Sequence, residues 1–437
     1  MLYYIFQWLD KLDIPGAGVF SYITFRAAFA FILSLLCSMF IGIRIIRYLK
    51  RKQILDTPRE MNFGGLSDDE IFEQREKQRK SQTPTMGGMI ILISIVIPCL
   101  LIGVLDNIYM LLMLFTTIFM GAIGFLDDYI KVFRKNKDGL KGKYKVVGQV
   151  GIGLVVGLVL YFSPQVVLIE NIQEKTDPQT QRKEVVYSNK AEKSTQTTIP
   201  FFKNNNLNYA DLFSWAGDNK QAFGWIFFVL LTIFIVTATS NGANLTDGID
   251  GLSAGSSAIM GIALGILAYV SGNIYYAGYL NVMFIPGSGE LLIFAAAFIG
   301  ATIGFLWYNS YPAQVFMGDT GSLALGGIIA VFAIIIRKEL LIPILCGVFL
   351  VENLSVILQR LIYKRTKKLD QNGNIVGTRL LKKAPLHHHF QTKGERVPGP
   401  YIIKYPNRTI HESKLTIRFW LIGIMLAALT LITLKIR

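Results

Sequence analysis

Three acidic clusters lie where long apolar runs end: Gly124-Phe125-Leu126-Asp127-Asp128-Tyr129, Asn244-Leu245-Thr246-Asp247-Gly248-Ile249-Asp250-Gly251 and Met317-Gly318-Asp319-Thr320-Gly321-Ser322. Asp127 and Asp128 close an apolar helix, where the macrodipole disfavours anions by about 0.3–1 kcal/mol and nearby lipid adds a few more. Carboxylates set against those costs need compensation. Asp247 and Asp250, if helical, share a face, and Gly248 and Gly251 let backbone amides approach a phosphate or sugar. A glycine-rich turn with Asx capping accounts for Asn244 alone and poorly for both acids. Asp319 precedes Thr-Gly-Ser and an apolar run, a placement equally natural for an N-cap and for a Mg2+ ligand. Taken together with the surrounding lysines, these acids point to a hard divalent cation, Mg2+ or Mn2+, held by one or two carboxylates and by substrate phosphates. Cys37, Cys99 and Cys346 all fall within apolar runs and lack metal-ligand or disulfide spacing, so zinc is not indicated.

Further polar motifs flank the same runs. In Lys80-Ser81-Gln82-Thr83-Pro84-Thr85-Met86-Gly87-Gly88, Lys80 can place a point charge on a phosphate, while Thr83 and Thr85 can cap the helix that follows. Pro385-Leu386-His387-His388-His389-Phe390 lies in a Lys-rich loop far from either terminus, and suggests phosphate or substrate contacts. Histidines in an extended stretch point alternately, so at most two of these share a site. Glu352 and Asn353 fall inside an apolar run, where an intramembrane polar residue is either functional or an interhelical hydrogen bond.

What positions these residues is a set of membrane-spanning helices. Of 437 residues, 52% are hydrophobic and 17% charged, which nearly excludes a soluble enzyme. Apolar runs long enough for a bilayer occur near 21–49, 86–105, 109–126, 146–163, 222–240, 252–271, 290–308, 321–336, 340–362 and 416–434, predicting an all-α polytopic bundle of about ten helices in a single domain, 1–437. The formal charge of +15 is explained by topology without nucleic acid. Basic clusters at Arg44–Lys80, Lys131–Lys145 and Lys364–Lys393 follow the first, third and ninth runs, placing all three in the cytoplasm and both termini outside it. The long polar segment 164–221 is then an extracytoplasmic insertion, with strand-like stretches in EVVYSNK and TQTTIPFF. The N-terminus lacks the basic region of a signal peptide, and no internal repeat is apparent.

A cytoplasmic-face site of carboxylates, a divalent metal and lysines, set in a bundle open to lipid, suits phosphoryl transfer between a soluble donor and a membrane-resident phosphate. The motifs FLDDY, NLTDGIDGL, WYNSYPAQVFMGDTGSLALGG, KSQTPTMGG and above all PLHHHF resemble those of the phospho-N-acetylmuramoyl-pentapeptide-transferases of bacterial cell-wall synthesis. The aspartate motifs mark the wider polyprenyl-phosphate sugar-1-phosphate transferases, and PLHHHF marks this branch. The resemblance implies transfer of phospho-N-acetylmuramoyl-pentapeptide from UDP-N-acetylmuramoyl-pentapeptide to undecaprenyl phosphate, with Mg2+, in the inner membrane, by a ten-helix bundle often paired as a homodimer. It implies that Asp319 ligates Mg2+, that Asp127 deprotonates or positions the lipid phosphate and that Asp128 shapes the same site. Lys80, Thr85, Asn244, Asp247, Asp250, Asn309 and Phe316 would line the nucleotide side, His387, His388 and His389 would contact the sugar-phosphate, and Lys131 and Lys143 would neutralise diphosphate. The 164–221 segment and the GERVPGPYIIKYPNRTIHESK stretch are longer than the family's usual connections. A sister transferase acting on UDP-N-acetylglucosamine, and a transporter with its acids in a proton relay, are the alternatives. A transporter would spread ionisable residues through the bilayer's depth, whereas here most keep to one face.

Overall fold

The computed structural model describes residues 1–52, 76, 78–136, 138–169, 171–176, 183–187, 192–201, 206–280, 282–369 and 375–433. Arg75, Lys77 and Lys137 of the basic clusters, and Ser188, Asn189 and Lys190 of EVVYSNK, lie outside the described residues. The chain is an all-α membrane bundle. Its helices are α1 (Leu2–Asp10), α2 (Ile23–Lys52), α3 (Gly88–Ile102), α4 (Ile108–Val132), α5 (Gly142–Phe162), α6 (Lys220–Thr246), α7 (Leu252–Ser271), α8 (Ile274–Leu280), α9 (Leu291–Asn309), α10 (Gly318–Ile335), α11 (Ile342–Leu345), α12 (Gly347–Arg365), α13 (Leu386–Gln391) and α14 (Glu412–Ile432).

Among the described residues, eight helices are long and apolar enough to cross a membrane, and a ninth span arises if Glu339–Leu345 and Gly347–Arg365, bent by 78°, count as one. The remaining expected run, 86–105, forms the 15-residue α3, whose helix starts only at Gly88 because the preceding residues are tied into the site. There Gly87 N and Gly88 N donate to the carbonyls of Phe316 and Met317, both at 2.8 Å. Those backbone bonds satisfy the helix's first amides, and Thr83 does not cap it. The Thr83 hydroxyl turns back to Arg79 O instead, at 2.9 Å.

α10 is the axis of the bundle, with every residue from Thr320 to Ile335 buried. Its small residues allow this. A Cβ on Gly124 of α4 would overlap the Asp319 carbonyl, and one on Gly88 of α3 would overlap the Gly321 backbone, so both neighbours approach α10 at backbone distance. α9 and α2 close up similarly, the Ser34 hydroxyl donating to the carbonyls of Ser94 and Ala297, both at 2.6 Å.

The 164–221 segment contributes two separate hairpins, β1 (Asn171–Thr176) with β2 (Lys183–Tyr187) and β3 (Gln196–Thr198) with β4 (Asn206–Asn208), both antiparallel. The second is anchored on the bundle at the end opposite the aspartates. Thr198 N donates to Arg337 O at 3.1 Å, Lys338 Nζ to Thr198 Oγ1 at 2.6 Å, and the Tyr209 hydroxyl to Glu339 Oε1 at 3.0 Å.

Candidate active site

The three acidic clusters meet at one end of the bundle. Asp127 lies five residues inside the end of α4 and Asp319 in the first turn of α10; with Asp128, each offers a carboxylate oxygen within 4.8 Å of the others. Asp127 and Asp128 are buried, and their compensation is explicit. Lys131 Nζ stands 2.5 Å from Asp127 Oδ2 and 3.1 Å from Asp319 Oδ2, while Lys145 Nζ stands 3.0 Å from Asp127 Oδ1 and 2.5 Å from Asp319 Oδ2. Leu140 N donates to Asp127 Oδ1 at 2.7 Å. Asn244, at the end of α6, donates to Asp319 Oδ1 and to Ser322 Oγ, both at 2.8 Å.

Asp319 is not the cap of α10. That role falls to Asp128, which accepts Asp319 N at 3.1 Å, Thr320 N at 2.8 Å and the Thr320 hydroxyl at 2.6 Å. An acid from one helix thus satisfies the first amides of another, which frees the Asp319 side chain to face the lysines.

Lys143 is not among those lysines. It is exposed, its ammonium 5.1 Å from the Tyr144 ring centroid. Residues 143 and 145 are two apart on α5 and point to different sides; Lys145 shares its face with buried Gln149 and Ile152. That buried stripe at i, i+4 and i+7 is the sequence signal that would have selected Lys145.

A cavity of about 340 Å³ adjoins the cluster, and its walls include Lys80, Thr85, Asn244, Asp247, Asp250, Asn309, Phe316 and Asp319. Every residue expected on the nucleotide side therefore lines one space. Asp247 and Asp250 reach it from a turn between α6 and α7 and not from one helical face, Gly251 turning the chain with φ of 74°. Desolvation and the carboxylates of Asp319, Asp128 and Asp250 push the Asp247 carboxyl well above the usual range. Asp250 is bound into the wall, its Oδ2 accepting Ala313 N at 2.9 Å and Arg79 Nη2 at 3.1 Å. Asn309 is committed likewise, accepting Gly251 N at 3.1 Å and donating to Val315 O at 3.0 Å. Glu412, at the start of α14, holds Lys80 Nζ and Asp250 N, both at 2.7 Å. The sequence motifs select neither Glu412 nor Arg79; Arg79 adjoins the KSQTPTMGG motif, whereas Glu412 lies in a stretch that carries none.

The three histidines occupy a helix, α13, and not an extended stretch, so they point in three directions. His387 is buried, its Nδ1 3.1 Å from Glu352 Oε2 and its amide 3.2 Å from Glu352 Oε1. Its Nε2 has no hydrogen-bond partner among the described residues and faces Gly248, where a Cβ would overlap it. Glu352 inside the membrane is thus the orienting partner of a histidine at the cavity. The His388 ring lies 4.2 Å from that of His387 and bonds Gln391 at 3.2 Å, whereas His389 points away, Nε2 to Tyr405 O at 2.7 Å and Nδ1 to Lys382 N at 3.1 Å. His389 therefore anchors its own loop.

The donor set fits a hard divalent cation. Asp127, Asp128 and Asp319 supply oxygen only, and the ammonium groups already wedged between Asp127 and Asp319 mark where positive charge is favoured.

A model described as glycosyl transferase family 4 matches residues 109–337. The chain is 60% identical over 439 residues to a protein of Phocaeicola vulgatus named phospho-N-acetylmuramoyl-pentapeptide-transferase, and 58% over 440 residues and 54% over 439 residues to proteins of the same name from Bacteroides fragilis and Flavobacterium psychrophilum. Each comparison covers 100% of both chains, so the 164–221 segment and the long stretch before α14 are shared with these relatives. With its aspartate–lysine cluster adjoining the cavity and its PLHHHF histidine facing Gly248 in the cavity wall, the chain belongs to the phospho-N-acetylmuramoyl-pentapeptide-transferase family, within glycosyl transferase family 4.

Proposed function

We propose that the protein transfers phospho-N-acetylmuramoyl-pentapeptide from its UDP carrier to undecaprenyl phosphate, releasing UMP and forming lipid I. The reading is supported by the names its relatives carry, and above all by Asp319 and Asn244 belonging both to the carboxylate–lysine cluster and to the adjoining polar cavity. It places the reaction at the cytoplasmic face of the inner membrane, the side favoured by the basic loops near the site. The 164–221 segment is then extracytoplasmic, part of one integral membrane domain, and pairing of two copies belongs to the same reading.

In this mechanism Asp319 would hold Mg2+, which when bound neutralises diphosphate charge and polarises the phosphorus under attack. Asp127, held between Lys131 and Lys145, positions the lipid phosphate and accepts its proton where it carries one. An oxygen of that phosphate attacks the phosphorus bearing the sugar, the bond from that phosphorus to the bridging oxygen breaks, and UMP leaves with the electron pair. Lys131 and Lys145 neutralise charge on the equatorial oxygens. Phe316 offers an aromatic face to uracil, Thr85 and Lys80 flank the phosphates, and His387 presents Nε2 to the sugar-phosphate. Asn309, Asp250 and Glu412 keep the cavity open by bonding to its own walls. Displacement is direct; a phosphorylated aspartate trapped during turnover would overturn that step.

The test is UMP release by purified protein supplied with undecaprenyl phosphate and Mg2+, comparing UDP-N-acetylmuramoyl-pentapeptide with UDP-N-acetylglucosamine, with Asp319→Ala and a chelator as controls. The expected result is activity with the pentapeptide donor alone, lost in both controls. Preference for the plain UDP sugar would overturn the donor assignment.

A further inference from the structure

After Ser355, α12 buries no further side chain. Leu350, Leu354, Ile357 and Leu361 recur at i, i+4, i+7 and i+11 and are each 40–47% exposed, forming one apolar stripe toward lipid. The same spacing next reaches Lys364, with Arg360 one turn before it and Lys367 three residues after. These three cations and Arg379, which the chain brings across by its bridge to Tyr401, line a cavity of about 500 Å³. None of the four is ion-paired with a carboxylate among the described residues. Lys367 Nζ instead stands 5.9 Å from the Tyr363 ring centroid. Like charges gathered around one space repel one another until an anion sits between them. A second cavity of about 560 Å³ shares Tyr363 and Arg379 with the first and adds Gly377 and Thr378, leaving room for more than a single phosphate.

We propose that this pocket binds the headgroup of an anionic glycerophospholipid of the surrounding bilayer, with the acyl chains lying along the apolar stripe of α12. Charge complementarity and the continuity of stripe and pocket specify an amphiphile with an anionic head. The reacting lipid phosphate is a different ligand. The pocket shares no lining residue with the aspartate cavity, and along the helix Arg360 and Lys364 lie roughly 12–18 Å beyond Glu352, which carries His387. The inference does not depend on which donor the enzyme uses.

The full chain, purified in mild detergent, is titrated with phosphatidylglycerol, phosphatidylcholine and undecaprenyl phosphate and followed by native mass spectrometry. The expected result is one phosphatidylglycerol retained on the order of tenfold more strongly than phosphatidylcholine, with the preference lost in the Arg360→Gln, Lys364→Gln, Arg379→Gln triple variant. Equal retention of the two phospholipids by the unaltered chain would overturn the proposal without any variant. So would undiminished retention in a triple variant whose thermal unfolding matches the parent. Displacement of phosphatidylglycerol by equimolar undecaprenyl phosphate, itself no longer retained by the triple variant, would overturn it in favour of the acceptor.

Discussion

The Asp128 carboxylate accepts both the amide and the hydroxyl of Thr320, at 2.8 and 2.6 Å, so the end of α4 caps the start of α10. Two helices that meet at backbone distance are locked in register at the point where Asp127 and Asp319 face each other. Asp128→Ala removes the cap and strands buried donors, and is expected to destabilise the protein by about 2–3 kcal/mol. Asp128→Asn keeps one acceptor oxygen and should lose roughly half as much. Chemical denaturation in detergent measures both. An alanine variant as stable as the parent would assign Asp128 to chemistry alone.

Lys145 touches both Asp127 and Asp319, whereas Lys143 touches neither. Lys145→Ala therefore leaves the two acids sharing one ammonium, and kcat should fall on the order of 100-fold or more, as for loss of a preorganised charge. Lys143→Ala should stay within a few-fold of the parent. Steady-state kinetics on the two variants decide it, and a reversed order would mean that the loop rearranges when substrate binds.

Glu352 fixes the tautomer of His387. With its Nδ1–H given to a carboxylate, the ring presents Nε2 as an acceptor beside Gly248. Glu352→Gln can turn its amide donor toward Nδ1 and leave Nε2 protonated, so activity should fall roughly 10–100-fold with the fold retained, as for other orienting partners. His387→Gln should cost at least as much, and the double variant little more than His387→Gln alone. Additive losses would show the two residues acting separately.

The membrane helices and the acidic clusters were legible because hydropathy over some twenty residues and motif chemistry are local properties. Choices of face and partner were not. Lys143 and Lys145 differ by about 200° around α5, and only the buried Gln149–Ile152 stripe distinguishes them. Asp319 was ambiguous between cap and ligand because the residue that caps α10 is 191 positions earlier in the chain. Three histidines in a row carry no sign of their backbone, and a short helix sent them to three environments. Glu412 carries no local signal because its partners, Lys80 and Asp250, lie 332 and 162 positions earlier in the chain.

His388 and His389 make the loop that carries His387 sensitive to acid. Burial, with the neighbouring His387 and Lys383, pushes the His388 imidazole down to about 4, and burial also lowers His389. His389 has a geometric reason to resist a second proton, since Nδ1 accepts Lys382 N while Nε2 faces the Tyr405 carbonyl. Both are neutral in the folded protein at neutral pH, while the unfolded chain takes up protons near the ordinary value of 6.5. Between about 4 and 6.5 the unfolded state thus binds more protons, so stability rises with pH across that window and falls as the medium is acidified through it. Thermal midpoints should be flat above pH 7 and decline from about 6.5 downward, with a shallower decline in His388→Gln. An unchanged slope in His388→Gln between pH 5 and 6.5, where most carboxylates remain ionised, would show that the loop's protonation is not linked to folding.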